Sequence, residues 1–234
     1  MGTRGMWGYI VGEEEKLTYN HFDSYPSGLG NEILKHARSF SKIALAVNSE
    51  PFQQAVNLLV VDADSTPTKE QIEHLAKYAN TDVSTRDLEE WYVLLRETQG
   101  DPVAQLDAGV MIDGADFSQD SLFCEWAYVI DLDLGLFEVY RGFQKEPHED
   151  GRFWQRFDAE ATHMTPPLFD EDERPARCLR CGVHKLNEAH KEVCTGGAYY
   201  PIRLIASWRL DNLPDSLDEV EKKVYEEDEA KYAS

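Results

Sequence analysis

The pattern of hydrophobic and polar positions changes character several times along the chain. Residues 3–11 end in an apolar and aromatic run, and residues 16–20 alternate apolar and polar side chains beyond an acidic, turn-like stretch. This pattern predicts a β-hairpin at the start of the chain. Residues 21–30 follow, and their Gly, Pro and Ser content predicts an irregular loop.

The next part of the chain has helical periodicity. Apolar residues recur at helical spacing over 31–47, which predicts a first helix. A proline suits the first turn of a second helix over 51–61. Thr68 and Gln71 form a capping-box pair that opens a third helix, and acidic early turns favour a fourth over 84–100. The middle of the chain is therefore predicted to be mostly helical.

Strand-like patterns return in the second half. Residues 101–121 resemble a loop, whereas 124–131 and 136–143 are aromatic and β-branched and predict a second hairpin. Residues 201–210 predict a last strand, followed by an acidic C-terminal helix. The predicted fold class is α+β: an antiparallel sheet built from the N-terminal, central and C-terminal hairpin strands, with a helical middle section and a small zinc module.

Composition adds an acidic character to this picture. Among 234 residues, Lys and Arg number 23 against 44 Asp and Glu, so the formal net charge is -21. Such a balance argues against direct nucleic-acid binding, which needs clustered basic residues. No apolar run is long enough for a membrane span, and no basic-then-apolar leader opens the chain. We therefore expect a cytoplasmic protein whose negative charge either keeps it soluble or attracts a basic partner.

Three of the four cysteines fall in CLRCGVHKLNEAHKEVC. Cys178 and Cys181 are spaced to form a tight turn, while His190 and Cys194 are i and i+4 on a short predicted helix and share one face. This set predicts a tetrahedral zinc site, one ion per chain. With no open coordination position, the zinc is structural rather than catalytic. A disulfide with spare thiols is the alternative, and His184 is a less convenient substitute ligand.

The zinc site suggests a domain plan. Residues 177–199 form a zinc module inserted into an α+β domain made of 1–176 and 200–234. The remaining cysteine, Cys124, stands on a predicted strand and is expected to be a buried, inert thiol.

A polar constellation surrounds the first hairpin. Thr3 and Arg4 stand at the start of its first strand, and Asn20, His21 and Asp23 stand at the end of its second, so hairpin pairing predicts that they meet at one end of the sheet. They are candidate catalytic or pocket residues. Ordinary structural roles are the alternative, such as turn formation or an ion pair between Arg4 and Asp23.

The loop that follows is a candidate ligand-binding element. It runs through Tyr25 to the glycines Gly28 and Gly30, just before the first predicted helix. Backbone N–H groups exposed near a helix N-terminus would suit an anion.

These N-terminal stretches, GTRG and YNHFDSYPSGLG, together with WAYVIDLD and LFEVYRG, resemble a group of uncharacterised proteins, many from bacteriophages. The matched segments cover roughly a fifth of the chain. The resemblance implies a phage origin, and hence the host cytoplasm, but no activity.

Two functional hypotheses follow. The first is a phage-type acidic accessory protein with a structural zinc that binds a host or phage protein and contacts nucleic acid, if at all, only through the zinc module. The second is an amide hydrolase similar to the N-terminal-nucleophile enzymes, with Thr3 as nucleophile, or an inactive relative that binds a small ligand at that corner. Methionine removal would expose Gly2 rather than Thr3, which weighs against the enzyme.

Overall fold

The computed structural model describes residues 2–40, 49–82, 88–146, 148–156 and 200–232. Its main sheet has five strands in the order β2-β1-β5-β6-β7. These strands are β1 (Gly5–Val11), β2 (Glu14–Asn20), β5 (Trp126–Asp131), β6 (Leu136–Arg141) and β7 (Arg203–Arg209). Both predicted hairpins and the last strand are therefore confirmed, and they share one sheet.

The centre of this sheet differs from the prediction in one respect. β1 and β5 pair in parallel, with Gly5 opposite Trp126 and Ile10 opposite Asp131, whereas the other neighbouring pairs are antiparallel. The prediction of a wholly antiparallel sheet was therefore wrong. Every residue of β1 is buried, as expected for a strand covered on both faces.

Each face of the sheet packs against its own hydrophobic core. On one face, Trp7, Tyr9 and Tyr128 pack with the middle helices. On the other, Met6 and Val129 belong to a second cluster that is covered by segments outside the sheet. The sheet thus lies between a helical layer and a layer of irregular chain.

The helices of the middle section are shorter than their sequence patterns suggested. They are α1 (Asn31–Ala37), α2 (Glu50–Asn57), α3 (Lys69–Leu75) and α4 (Trp91–Leu94), with single 3-10 turns after α1, α3 and α4. The capping box predicted at α3 is confirmed, because Thr68 and Gln71 each accept from the other's backbone N–H. Residues 41–48 and 83–87, where two predicted helices continue, lie outside the described residues.

Two predictions for the middle section were wrong. The helix expected over 51–61 ends at Asn57, and β3 (Leu59–Val61) follows it. The expected loop over 101–121 contains α5 (Pro102–Ala108) and β4 (Val110–Ile112). β3 and β4 pair in parallel as a separate two-stranded sheet.

Local sequence signals determine where α5 starts and ends, although the sequence analysis did not identify them. The Asp101 carboxylate accepts from the N–H groups of Val103 and Ala104, both at 3.0 Å, and Pro102 occupies the first turn. Gly109 ends the helix in the left-handed conformation, at φ 68°, which glycine adopts without steric cost. A helix of only two turns offers too little periodicity to be recognised by pattern alone.

The C-terminal helix α6 (Asp218–Tyr232) is held against the N-terminal loop. The backbone N–H of Ser27 donates to Glu221 at 2.9 Å, and the Asn31 side chain donates to Asp218 at 2.9 Å. Further along, Asp228 pairs with Arg141 at 3.5 Å. Across the described ranges, no helix combines the length and apolar character that crossing a membrane requires.

Candidate functional site

The N-terminal corner brings its two halves together as the hairpin pattern predicted. Gly5 pairs with Asn20, so Thr3 and Arg4 lie beside the chain that leaves β2. The backbone N–H of Ser24 donates to the carbonyl of Thr3 at 3.2 Å. Thr3 itself is only 2% exposed, which leaves little access to its side chain.

A buried network of hydrogen bonds fixes the conformation of this corner. Asn20 Nδ2 donates to Ser24 Oγ at 2.8 Å and to the carbonyl of Phe22 at 2.5 Å. The Tyr128 hydroxyl donates to the carbonyl of Ser24 at 2.9 Å. Ser24 is fully buried, although its segment was predicted only as an irregular loop. Asn20 and Ser24 therefore hold the loop in place, whatever further role the corner has.

The other candidate residues of the corner point to the surface. His21 is exposed, and its Nδ1 lies 2.9 Å from the Tyr19 hydroxyl. Asp23 is exposed at a positive φ of 51°, and it forms no ion pair with Arg4. The Arg4 guanidinium instead lies over the Phe123 ring, 5.3 Å from its centroid. The corner therefore does not join Arg4, His21 and Asp23 into one constellation.

The loop glycines do not present free N–H groups. The N–H of Gly28 and that of Gly30 donate to the carbonyl of Tyr25, at 3.0 and 3.1 Å. Both donors are thus satisfied within the loop, and the expected anion site is not formed in this conformation. Gly30 has a packing role, since a Cβ there would lie 2.8 Å from the Tyr128 ring.

A cleft that sequence analysis missed lies at the carboxyl ends of β3 and β4. It consists of two adjoining cavities of about 500 and 680 Å³ that share Tyr19, Ala63 and Asp113. We call these two cavities together the acidic cleft. The carboxyl ends of neighbouring parallel strands are a frequent place for ligand sites. The cleft was missed because one of the two strands was predicted as helix and the other as loop.

Six of the described residues that line this cleft are acidic. They follow β3, precede α4 or follow β4, and they are Asp62, Asp64, Glu89, Glu90, Asp113 and Asp116. Among the described residues of the lining, Arg4 is the one basic side chain, and Tyr19, Tyr92, Phe117 and Phe123 are the aromatic ones. Carboxylates concentrated between low-dielectric walls favour a cationic ligand.

Tyr19 is the residue that links the acidic cleft to the N-terminal corner. Its ring packs edge-on against Phe117, with 5.1 Å between the centroids. Burial raises the pKa of its hydroxyl, an effect that the nearby Arg4 opposes. The phenol therefore stays protonated at neutral pH and can donate or accept a hydrogen bond.

The predicted zinc ligands lie outside the described residues. Cys178, Cys181, His190 and Cys194 all belong to the segment 157–199. Within the part of the chain that the structure describes, no group of three or more His, Cys, Asp or Glu side chains is arranged to hold a metal ion. The zinc module stays a prediction from the spacing of its ligands.

Cys124 is buried and free. Burial raises the pKa of its thiol well above the ordinary value, and the charges of Asp120 and Glu125 act in the same direction. A thiol that stays protonated is a poor nucleophile, which supports the inert role expected for it.

No protein-family model, curated protein or solved structure matches this chain. The resemblance of its N-terminal segments to phage proteins stays a prediction.

Proposed function

We propose that this protein acts by binding a basic host or phage protein through an acidic surface, with a structural zinc in its 177–199 segment and without catalysing a reaction. A net charge of -21 speeds encounter with a basic partner and discourages acidic ones. The phage-type resemblance of the N-terminal stretches agrees with an accessory role in the host cytoplasm.

The observation that carries this proposal is the anchoring of the acidic helix α6. Its contacts with Ser27 and Arg141 hold it to the body of the protein. Glu226, Glu227 and Glu229 are exposed on it. Carboxylates on an anchored helix form a fixed array, which loses less conformational entropy on binding than a mobile acidic tail would lose.

Charge reversal on this helix tests the proposal. The double variant Glu226→Lys, Glu227→Lys is compared with Glu70→Lys, Glu73→Lys, which makes the same charge change at exposed positions on α3. Each protein, carrying a photo-crosslinker, is exposed to infected-cell lysate, and cross-linked proteins are identified by mass spectrometry. We expect a basic partner that the α6 variant captures several-fold less well, with the difference shrinking at high salt.

Two results would count against it. Equal loss in both double variants would show that only net charge matters. A captured partner that is neutral or acidic would contradict the electrostatic basis altogether.

The second candidate function is amide hydrolysis at the N-terminal corner, where Thr3 lies beside the chain that leaves β2 and its carbonyl accepts from the N–H of Ser24. It requires Thr3 to carry a free α-amine. Intact-mass measurement of the purified protein shows which residue is N-terminal. Thr3 at the N-terminus, with hydrolysis of a model amide that Thr3→Ala abolishes, would replace the binding proposal by an enzymatic one.

A further inference from the structure

We infer that an aromatic rim at one end of the main sheet is the surface that packs against apolar side chains of the basic partner. The rim consists of five aromatic residues that are each between 36% and 48% exposed, namely Phe22, Tyr25, Phe123, Phe143 and Tyr225. The inference rests on the proposed function, since it names a second feature of the basic partner: leucine-like or phenylalanine-like side chains beside its lysines and arginines.

The topology of the sheet brings three of these residues to the same end. β1 and β5 run parallel to each other, and β2 and β6 run antiparallel to them. The ends of β2 and β6 therefore lie at the same end of the sheet as the start of β5. Phe22 follows β2, Phe123 precedes β5 and Phe143 follows β6. Residues that are far apart in the sequence thus meet at one end of the sheet.

Backbone contacts place two of these rings on neighbouring segments. The N–H of Phe143 donates to the carbonyl of Ser121 at 2.6 Å, and the N–H of Gly142 donates to the carbonyl of Glu125 at 2.9 Å. The segment that carries Phe143 therefore runs beside the segment that carries Phe123. Contiguous exposed apolar surface of this kind is typical of a protein interaction site.

Helix α6 extends the rim through Tyr225. The Arg141 guanidinium lies 4.9 Å from the centroid of the Phe143 ring and pairs with Asp228, which is one helical turn beyond Tyr225. Burial raises the pKa of the Tyr225 hydroxyl, and Arg141 and Tyr25 also act on it electrostatically. The rim is therefore continuous with the acidic helix on which the proposed function depends.

The backbone of Phe143 indicates that its ring has a use at the surface. Phe143 adopts the left-handed conformation at φ 58°, which bulky side chains rarely adopt. Its bond to Ser121, and the bond from the N–H of Gln144 to Ser121 Oγ at 3.1 Å, hold the chain in this conformation. The ring is nevertheless 39% exposed, so the unfavourable backbone does not serve to bury it. Strained residues of this kind cluster at functional sites.

Two of the rings are already held in place by arginines of this protein. Arg4 lies over the Phe123 ring and Arg141 over the Phe143 ring. The exposed fractions of these rings are what remains after those contacts, so this area is available for apolar packing against a partner. Aromatic side chains that are held in this way lose little conformational entropy on binding, and aromatic residues are enriched among those that carry most of the energy of an interface.

Charge around the rim selects the chemistry of the partner. Asp23 is exposed in the loop that carries two of the rings, and Glu226 and Glu229 are exposed on α6. Of the opposing charges, Arg141 is only 12% exposed and pairs with a carboxylate of α6, and Arg4 is outnumbered. A nucleic acid or a second copy of this acidic chain would bring like charge to these carboxylates. A segment in which lysines or arginines flank apolar side chains matches both the rings and the charge.

The test uses the full chain as purified and three fluorescein-labelled peptides. One is an amphipathic peptide of lysines and leucines, the second has serine in place of leucine, and the third has glutamate in place of lysine. Fluorescence anisotropy gives the affinities, and the readout is the ratio of the affinity for the leucine peptide to that for the serine peptide. We expect a ratio of at least about tenfold, which Phe123→Asn and Phe143→Asn should each lower about fivefold, as truncation of an interface anchor would.

Matched variants separate the rim from general effects. Leu134→Asn removes an apolar side chain that is 67% exposed in the turn between β5 and β6, at the opposite end of the sheet, and it should leave the ratio unchanged. The α6 double variant Glu226→Lys, Glu227→Lys should weaken both lysine peptides alike and also leave the ratio unchanged. Thermal unfolding shows that each variant is folded, and asparagine tolerates the left-handed backbone at position 143.

Several results would overturn the inference. A ratio near one for the unaltered protein would do so, as would equal effects of Leu134→Asn and Phe123→Asn, or equal affinity for the lysine and glutamate peptides that contain leucine. A dimer in sedimentation velocity that strengthens with salt and that Phe143→Asn abolishes would assign the rim to a second copy. Binding of a labelled single-stranded oligonucleotide that Phe123→Asn abolishes would assign it to nucleic acid.

The lysate experiment distinguishes failure of the rim from failure of the proposed function. A basic partner that is lost with the α6 double variant but retained by the double variant Phe123→Asn, Phe143→Asn would overturn the rim and leave the proposed function standing. Capture of neutral or acidic proteins alone would overturn the proposed function itself.

Discussion

The hydroxyl of Tyr9 lies 2.7 Å from Nε2 of His36, across the interface between strand β1 and helix α1. Both residues are buried, and the Phe40 ring packs edge-on against each of them. Burial lowers the pKa of His36 to about 4, although the charge of Asp101 opposes this effect. The imidazole is therefore neutral in the folded protein at neutral pH.

Acidification should destabilise the protein through His36. In the unfolded chain its pKa returns to the ordinary 6.5, so between about pH 6.5 and 4 the unfolded state binds a proton that the folded state does not. Stability therefore falls as the pH falls through this window, by on the order of 3 kcal/mol in total. Urea denaturation at a series of pH values measures it. His36→Gln, which can still bond to Tyr9, should remove most of the slope, and an unchanged slope would contradict this assignment.

Arg152 forms ion pairs with two buried carboxylates of the sheet. It donates to Asp131 at 2.5 Å and to Glu138 at 2.9 Å, and these two side chains are 1% and 9% exposed. Arg152→Met leaves both charges without their cation, and we expect a loss of about 3–5 kcal/mol in the free energy of unfolding.

A surface pair provides the control for Arg152. Arg203 lies 2.7 Å from Asp150, with both side chains about half exposed. Arg203→Met should therefore cost no more than about 1 kcal/mol. Similar losses in the two variants would show that the Asp131–Glu138 pair is not held by Arg152.

Gly8 is required by the close approach of strands β1 and β2. A Cβ at this position would lie 1.9 Å from the carbonyl oxygen of Lys16 and 2.9 Å from the Cα of Leu17. Gly8→Ala should force the two strands of the N-terminal hairpin apart and lower the unfolding free energy by about 3 kcal/mol. Gly12, in the turn at φ 63° with open space around it, is the comparison, and Gly12→Ala should cost only about 1 kcal/mol. Thermal and urea denaturation of both variants measure these two losses of stability.

Metal analysis tests the predicted zinc. The freshly purified, reduced protein should contain one zinc ion per chain, and Cys178→Ser or Cys194→Ser should lose it together with stability, because binding contributes to folding. Cys124→Ala changes a buried thiol outside the CLRCGVHKLNEAHKEVC segment and should retain the metal. Wild-type protein without zinc would overturn the site, and retention by both ligand variants would point to other ligands.

Periodicity sufficed for the main sheet but failed for the short elements. The hairpin strands are six or seven residues long, which is long enough for their apolar, aromatic or alternating patterns to be recognised. β3 and β4 have three residues apiece, and a pattern that short cannot be told from the end of a helix. The acidic cleft depends on those two strands, and it was missed with them.

At the N-terminal corner, the sequence pattern predicted the backbone pairing but not the side-chain contacts. Hairpin pairing predicted that Thr3 and Arg4 would lie beside the end of β2, and Gly5 does pair with Asn20, because register follows from two strands and a tight turn. It did not predict that Ser24 would be fully buried, or that Arg4 would stack on Phe123 instead of pairing with Asp23. Those contacts depend on segments distant along the chain.

By itself the sequence determined the α+β class, the two hairpins, the capping box of α3 and the strong negative charge, since each depends on neighbouring residues or on simple sums. Tertiary structure alone decided the parallel pairing of β1 with β5, the burial of His36 and Asp131, and the meeting of β3 and β4 at the acidic cleft. Strand order and burial depend on which distant segments cover each other's apolar surface. Strand order and burial therefore cannot be predicted from a local sequence pattern.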